Sequence, residues 1–269
     1  MPKVISSTLL PDERRQAIME RLRRDGRVLA GELAAEMSVS EDMIRRDLRE
    51  LSAAGLCQRI YGGALLSAPT AGPLSQRSQR IPERKRTLAE RALSLIEPGQ
   101  VVFMDSGSTN LAIASVMPPE VELTVVTNAP AIASALAEHP HVTLLLLGGR
   151  VLSGNGAAVG TSTVRDIGRI RADLCLLGAC GLDPEAGVTA FDADEAEVKR
   201  AFVDASTDVA VAATNDKLGT AAPFIVAPAD RISHLVVEAD APHARVARFE
   251  DLGIEVLAAD PVPPGTKHR

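Results

Sequence analysis

The chain has 269 residues, 46% of them apolar and 24% charged, with a formal net charge of −6. This length suits one large domain or a small domain joined to a medium one. No apolar run reaches the roughly 18 residues that span a bilayer, which argues against a membrane protein. One tyrosine, five phenylalanines and no tryptophan leave too few rings for an RNA binder that works by base stacking.

The N-terminus, MPKVISSTLLPDERR, has no long apolar core ahead of a small-residue cleavage site, so the cytoplasm is the expected compartment. Cys57, Cys175 and Cys180 form neither a disulfide framework nor a paired metal motif. Cys175 and Cys180 lie in or beside an apolar run, as buried thiols do. Neither a metal nor a cofactor is expected. Charge is unevenly distributed: residues 1–66 carry +1, residues 67–91 carry +4, and residues 92–269 carry −11. A weakly basic front joined to a strongly acidic back predicts two domains, with the front as the polyanion binder.

In chain order, Pro11 and Asp12 open a helix that carries Ile18 and Leu22 at helical spacing and stops at Asp25-Gly26. A second helix is predicted over about 29–37, and Ser38-Val39-Ser40 forms a turn. Ser40 caps a third helix over about 41–54, with Ile44, Leu48 and Leu51 on one stripe and Gly55 as its stop. Residues 56–66 read as two short strands around Tyr61-Gly62-Gly63. Two helices joined by a tight turn place the second in a DNA major groove. At 100° per residue, Arg46 and Arg49 lie opposite the apolar stripe and Arg45 on its flank. Arginine suits guanine edges and phosphates. The competing reading is a solvated helix with an Asp42–Arg46 pair. The hairpin adds Arg59 and Tyr61. The candidate DNA-contacting residues are therefore Ser38, Ser40, Arg45, Arg46, Arg49, Arg59 and Tyr61.

Residues 67–84 read as a Pro-, Ser- and Arg-rich linker running into a helix. Beyond it, apolar runs at 101–104, 123–127, 142–147, 173–178, 208–213, 234–238 and 254–257 alternate with helical stretches. Buried strands alternating with helices predict an α/β domain with a mainly parallel sheet over about 85–260. A disordered tail is predicted over 261–269. Val101–Asp105 runs into Ser106-Gly107-Ser108-Thr109 and then a helix. Such a loop either cradles phosphate on free N–H groups or simply caps the helix. Asn128, Gly148 and Gly149 follow later strands, whose C-terminal loops share one sheet edge. Lys199 and Lys217 are two of only three lysines after residue 85. Lys199 either meets a phosphate or pairs with Glu195 four residues back.

The segment MSVSEDMIRRDLRELSAAGLCQRIYGGALL resembles the winged helix-turn-helix signature of the DeoR family of bacterial sugar-metabolism regulators. The resemblance implies a helix-turn-helix at about 29–48 within a DNA-binding domain of residues 1–66. DSGST, VVTN, LLLGGRV, RADLCLLGACGL, GVTAFDADEAEVKRAF and NDKLG follow in the order of that family's sensor domain. That domain is similar to the fold of the ribose-5-phosphate isomerase and glucosamine-6-phosphate deaminase superfamily. Met43 stands where the family usually has Thr, and Cys180 where it usually has Asp. The family relation implies a phosphorylated sugar or related metabolite as effector. It implies that Asp105, Ser106, Gly107, Ser108 and Thr109 hold the phosphate end, with Asn128, Gly148, Gly149, Asp192, Glu195, Lys199 and Lys217 around the pocket. A repressor that binds double-stranded operator DNA as a homodimer or homotetramer is expected, because one winged domain contacts too few bases for gene-level specificity. The alternative is an isomerase-like enzyme in which Asp192, Glu195, Glu197 or Asp216 moves a proton and Lys199 or Lys217 is the electrophile. A DNA-binding domain has no use in simple isomerisation.

Overall fold

The computed structural model describes residues 9–69 and 72–262. Residues 263–269, most of the predicted tail, lie outside the described residues. Helix α1 (Pro11–Asp25) has Asp12 and Glu13 in its first turn and Arg23 and Arg24 in its last, matching the helix dipole at both ends. It ends at Gly26, whose left-handed φ of 76° lets its N–H reach the Leu22 carbonyl. Strand β1 (Arg27–Leu29), helix α2 (Ala30–Met37) and helix α3 (Glu41–Ala53) follow. The Ser40 Oγ accepts from the Met43 N–H at 3.3 Å and caps α3. Strands β2 (Cys57–Ile60) and β3 (Gly63–Ser67) form an antiparallel hairpin, and β1 pairs with β3 on its other side. Gly63 permits this: a Cβ there would lie 2.0 Å from the Val28 carbonyl oxygen. Ile18, Leu22, Leu33, Ile44, Leu48, Leu51 and Cys57 make the small core. Arg14 on α1 donates from two nitrogens to both carboxylate oxygens of Asp47 on α3, and both side chains are buried.

Residues 67–84, read from sequence as a linker, contain helix α4 (Leu74–Gln79) and the start of helix α5 (Pro82–Leu93). The two helices meet at Ile81, which adopts the left-handed conformation at φ 49° and ψ 51°.

The rest alternates as its apolar runs require. Its elements are β4 (Val101–Met104), α6 (Ser108–Ser115), β5 (Leu123–Thr127), α7 (Pro130–Leu136), β6 (Val142–Leu146), β7 (Arg150–Val151), β8 (Ala158–Val159), α8 (Thr161–Ile167) and β9 (Ala172–Leu176). They continue as β10 (Gly181–Asp183), β11 (Gly187–Ala190), α9 (Ala193–Asp204), β12 (Ser206–Ala213), β13 (Thr220–Ala221), β14 (Phe224–Ala227), β15 (His234–Val237), α10 (His243–Glu250) and β16 (Glu255–Ala258). Seven strands form one sheet in the order β16-β15-β12-β9-β4-β5-β6, and every pair in it is parallel. These are the seven predicted runs: β4 and β5 coincide with theirs, and the others differ by one or two residues at one or both ends. Val102 and Met104 pack into one apolar layer with Leu88 and Ile113, and Phe103 packs into the other with Phe202. That alternation is the two-residue period of a strand covered on both faces.

Two features were not visible in the sequence pattern. Strands β10, β11 and β14 form a separate antiparallel sheet. Strand β13 pairs in parallel with β3, setting Thr220 beside Leu66 and Ala221 beside Ser67, so the back domain completes the sheet of the front one. The Ala68 N–H donates to the Ala221 carbonyl at 2.8 Å. Arg27 pairs with Glu185 across the same joint.

Candidate functional site

The exposed face of α3 carries Arg45, Arg46 and Arg49, while Ile44, Leu48 and Leu51 are buried, as the helical spacing requires. The Arg46 side chain is 75% exposed. The Asp42–Arg46 pair does not form. Asp42 lies 3.9 Å from Arg45, Arg45 donates to Glu41 at 2.6 Å, and Arg46 reaches Glu50 at 3.6 Å. Exposed pairs of this kind are worth little and release their arginines at small cost. Ser38 and Ser40 are exposed in the turn, although the Ser40 hydroxyl is engaged as the cap of α3. Arg59 is exposed on β2 and Tyr61 is fully exposed at the tip of the hairpin.

The second site follows from strand order. From β4 the chain moves outward through β5 to β6; β9, β12, β15 and β16 extend the other way. The loops after β4 and β9 therefore diverge and leave a crevice at the switch in direction, where open α/β sheets bind ligands. A cavity of about 300 Å³ lies there, lined by Ser106, Gly107, Ser108 and Thr109 on one side and by Glu195, Lys199 and Lys217 on others. At the start of α6, the N–H groups of Ser108, Thr109 and Asn110 have no acceptor among the described residues. They are the orphan donors of a helix N-terminus, carrying its positive partial charge.

Asp105, Asn128, Gly148, Gly149 and Asp192 are not among the lining residues, and they and Lys199 are engaged by protein partners. Asp105 is buried. Its carboxylate accepts from the Asn110 Nδ2 and the Gly178 N–H, both at 2.7 Å, and from the Lys199 Nζ. It ties the β4 loop to the β9 loop. Asn128 donates from Nδ2 to the Ala158 carbonyl at 2.9 Å and braces β8. The Gly148 carbonyl accepts from the Thr163 hydroxyl at 2.7 Å, and a Cβ on Gly149 would meet that hydroxyl at 2.3 Å, so this glycine pair packs against α8. Asp192 caps α9, accepting from the Glu195 N–H at 3.0 Å. Lys199 is held by Asp105, by the Gly178 carbonyl at 2.7 Å and by Glu195 at 3.6 Å. Burial opposes its charge, but Asp105 and Glu195 outweigh that and hold its pKa above the ordinary lysine value.

Sequence reading does not find the cavity wall contributed by the connecting segment and the first turn of α5: Arg77 on α4, Arg80 just beyond it, Ile81, and Lys85 on α5. The +4 charge of residues 67–91 was the available signal. Burial pushes Lys85 down to about 8; Asp216 opposes this, and Arg77, Lys217 and Arg80 reinforce it. Burial likewise lowers Lys217 and raises the Cys180 thiol at the cavity wall. Among the described residues no cluster of His, Cys, Asp and Glu could hold a metal ion, and no helix is long and apolar enough to cross a membrane.

A winged helix-turn-helix with outward arginines, joined to a parallel α/β domain with a ligand crevice, defines a DNA-binding transcriptional regulator with a sensor domain. The chain matches the DeoR-like helix-turn-helix domain over residues 14–70 and the DeoR C-terminal sensor domain over residues 81–239. It is 30% identical to the putative aga operon transcriptional repressor of Escherichia coli O157:H7, over 91% of this chain and 93% of that one. It is 32% identical to the HTH-type transcriptional regulator GlpR of Haloferax volcanii, over 93% and 98%. Ribose 5-phosphate isomerase A from Methanocaldococcus jannaschii is a distant structural neighbour, with a TM-score of 0.34 and 13% identity over 48% of this chain and 51% of that one. The protein belongs to the DeoR family, a family of transcriptional regulators and not of enzymes.

Proposed function

We propose that the protein represses a carbohydrate-catabolism operon in the cytoplasm and leaves its operator when a phosphorylated sugar or related metabolite fills the crevice between the β4 and β9 loops. In this reading residues 1–66 bind DNA, 67–84 connect, and 85–260 sense. Two copies, or four, place their α3 helices on symmetric half-sites. Relatives support the regulatory sense and the ligand class. One is named a repressor of the aga operon, and another, from Escherichia coli K12 and 32% identical over 77% of this chain, a glycerol-3-phosphate regulon repressor. The observation that carries the reading is the set of unpaired N–H groups at the start of α6, facing the crevice beside Lys217. Phosphate at a helix N-terminus satisfies such donors and the dipole together. Effector and operator then weaken each other reciprocally, with a coupling of about 1–3 kcal/mol in a typical case.

Ser108→Glu tests this. Glutamate in a first helical turn is compatible with the dipole, so the fold is kept, but its carboxylate occupies the phosphate position. Operator affinity is expected to stay at the wild-type level while release by a pool of sugar phosphates is lost in a gel-shift titration. Normal release by the variant would place the anion elsewhere.

A further inference from the structure

The two edges of the large sheet are built differently. At one edge, β16 carries an exposed Glu255, has Asp251 before it, and runs into Asp260 and Pro261. Charge and proline are the usual guards against a second strand. At the other edge, β6 has the sequence VTLLL, with no charge and no proline, and its register with β5 is unbroken over five residues. Leu145 and Leu146 are 40% and 52% exposed there, and Val151 on β7 is 55% exposed. Strand β14, at the edge of the small sheet, also exposes Phe224 and Ile225, but Arg200 donates from Nε to the Ile225 carbonyl at 3.0 Å and guards that edge. Strand β6 has no such guard among the described residues.

Its backbone is half used. The Leu123 N–H donates to the His141 carbonyl at 3.1 Å, and the Leu147 N–H to the Thr127 carbonyl at 2.8 Å. Residues that bond one neighbour alternate with residues that face away from it. Thr143 and Leu145 therefore serve β5, while Leu144 and Leu146 turn their N–H and carbonyl groups outward, where no described residue meets them. The surroundings lack charge as well. Residues 139–164 hold a single Asp, Glu, Lys or Arg, where the chain's 24% would give about six. That one, Arg150, is paired with Asp194. Residues 92–269 as a whole carry −11, so two copies repel one another over most of this domain. At β6 they can meet with no like charges opposed. The strand is also self-complementary: identical strands related by a two-fold axis run antiparallel, and with the axis at Leu144 the Val142 of one copy faces the partner's Leu146.

We propose that β6 is the surface through which two copies of this chain join. The two β6 strands pair antiparallel across a two-fold axis, continue the two seven-stranded sheets into one, and cover Leu145 and Leu146. The outward N–H and carbonyl groups of Leu144 and Leu146 find their partners in the second copy. The proposal rests on the reading that the protein acts as two or four copies, and names the surface that joins them.

The test uses the full chain in solution. In sedimentation velocity the wild type should run as a dimer or tetramer. The double variant L145K/L146K changes two exposed side chains and should weaken self-association by about 100-fold or more, because lysines are then buried opposite an uncharged strand. Its circular dichroism should match the wild type. A second measurement needs no variant. The amide hydrogens of Leu144 and Leu146 should exchange slowly in concentrated wild-type protein and about tenfold faster or more on dilution through the dissociation constant, while that of Leu145, bonded to β5, depends far less on concentration. A folded L145K/L146K that associates like the wild type, or Leu144 and Leu146 amides that exchange fast at every concentration, would overturn the β6 surface and leave the several-copy reading standing. A wild type that is monomeric at every concentration would overturn both.

Discussion

Replacing Arg46 and Arg49 together by alanine is expected to weaken operator binding by about 100-fold or more, since each arginine reading a base edge or phosphate is worth about 1–3 kcal/mol. Both lie on the solvent side of α3, whose other side is fixed by Ile44, Leu48 and Leu51 in the small core. The exposed Arg46–Glu50 contact does not withhold the guanidinium, because such a pair is screened and costs little to break. Neither residue packs in the core, so the variant folds. Thermal stabilisation by the effector should match the wild type. Equal operator affinity in variant and wild type, measured by gel shift at fixed salt, would mean that another face of the domain meets DNA.

Lys199→Met should destabilise the sensor domain by about 3–5 kcal/mol, the usual result of removing one member of a buried ion pair. The Lys199 and Asp105 side chains are 3% and 1% exposed. Without the ammonium, Asp105 keeps only the N–H donors of Asn110 and Gly178 and remains a charge removed from water. Adding Asp105→Asn removes that charge and should recover much of the loss in the urea midpoint. Effector response should stay impaired, because the Lys199 ammonium no longer joins residue 105 of the β4 loop to the Gly178 carbonyl of the β9 loop. The pH sign is fixed by the direction of the shift. A lysine whose folded pKa is raised contributes fully below its ordinary value and loses that contribution only as pH rises through the folded one. The ammonium's contribution is therefore fully present at neutral pH, while burial of Asp105 raises its carboxyl above the ordinary carboxylate range against the pull of Lys199. A Lys199→Met protein with the wild-type urea midpoint would contradict this account.

What the sequence discloses and what it conceals divide along physical lines. The central strands β4, β5, β9 and β15 announce themselves because they are largely buried on both faces and so are mostly apolar, while the edge strands β6 and β16 are apolar although partly exposed. Helix α3 does so because its stripe and its Ser40 cap are local. Strands β1 and β13 have three and two residues, too short for a period, and exist only through pairing with β3. Asp105 beside a Gly/Ser loop reads as a ligand contact because its partner Lys199 is 94 positions away. Asn128 and Asp192 are polar residues near strand ends whose hydrogen bonds go to protein, which residue type alone does not tell. Arg77, Arg80 and Lys85 stay hidden because a Pro- and Ser-rich stretch reads as a tether, and net charge alone does not say which cavity its arginines line.

The missed strand gives the proposed coupling a short route. Lys217 lines the cavity, and Thr220 and Ala221, three and four residues on, pair with Leu66 and Ser67 of β3. Between them the Leu218 carbonyl is held by Arg245 at 2.7 Å, and a Cβ on Gly26 would lie 3.1 Å from the Gly219 carbonyl oxygen. In the proposed coupling, a displacement of the Thr214–Lys217 loop by ligand would pass to β3 through the β13–β3 backbone hydrogen bonds. Packed elements with two discrete arrangements carry coupling in this way.

The most direct test of the central claim is selection of genomic DNA fragments by the purified full chain, with and without a pool of sugar phosphates. A regulator released by its effector should recover a few discrete fragments, carrying paired half-sites and lying beside carbohydrate-catabolism genes, and should lose them when the pool is added. Recovery of no enriched fragment, or of the same fragments at the same yield in both conditions, would contradict it.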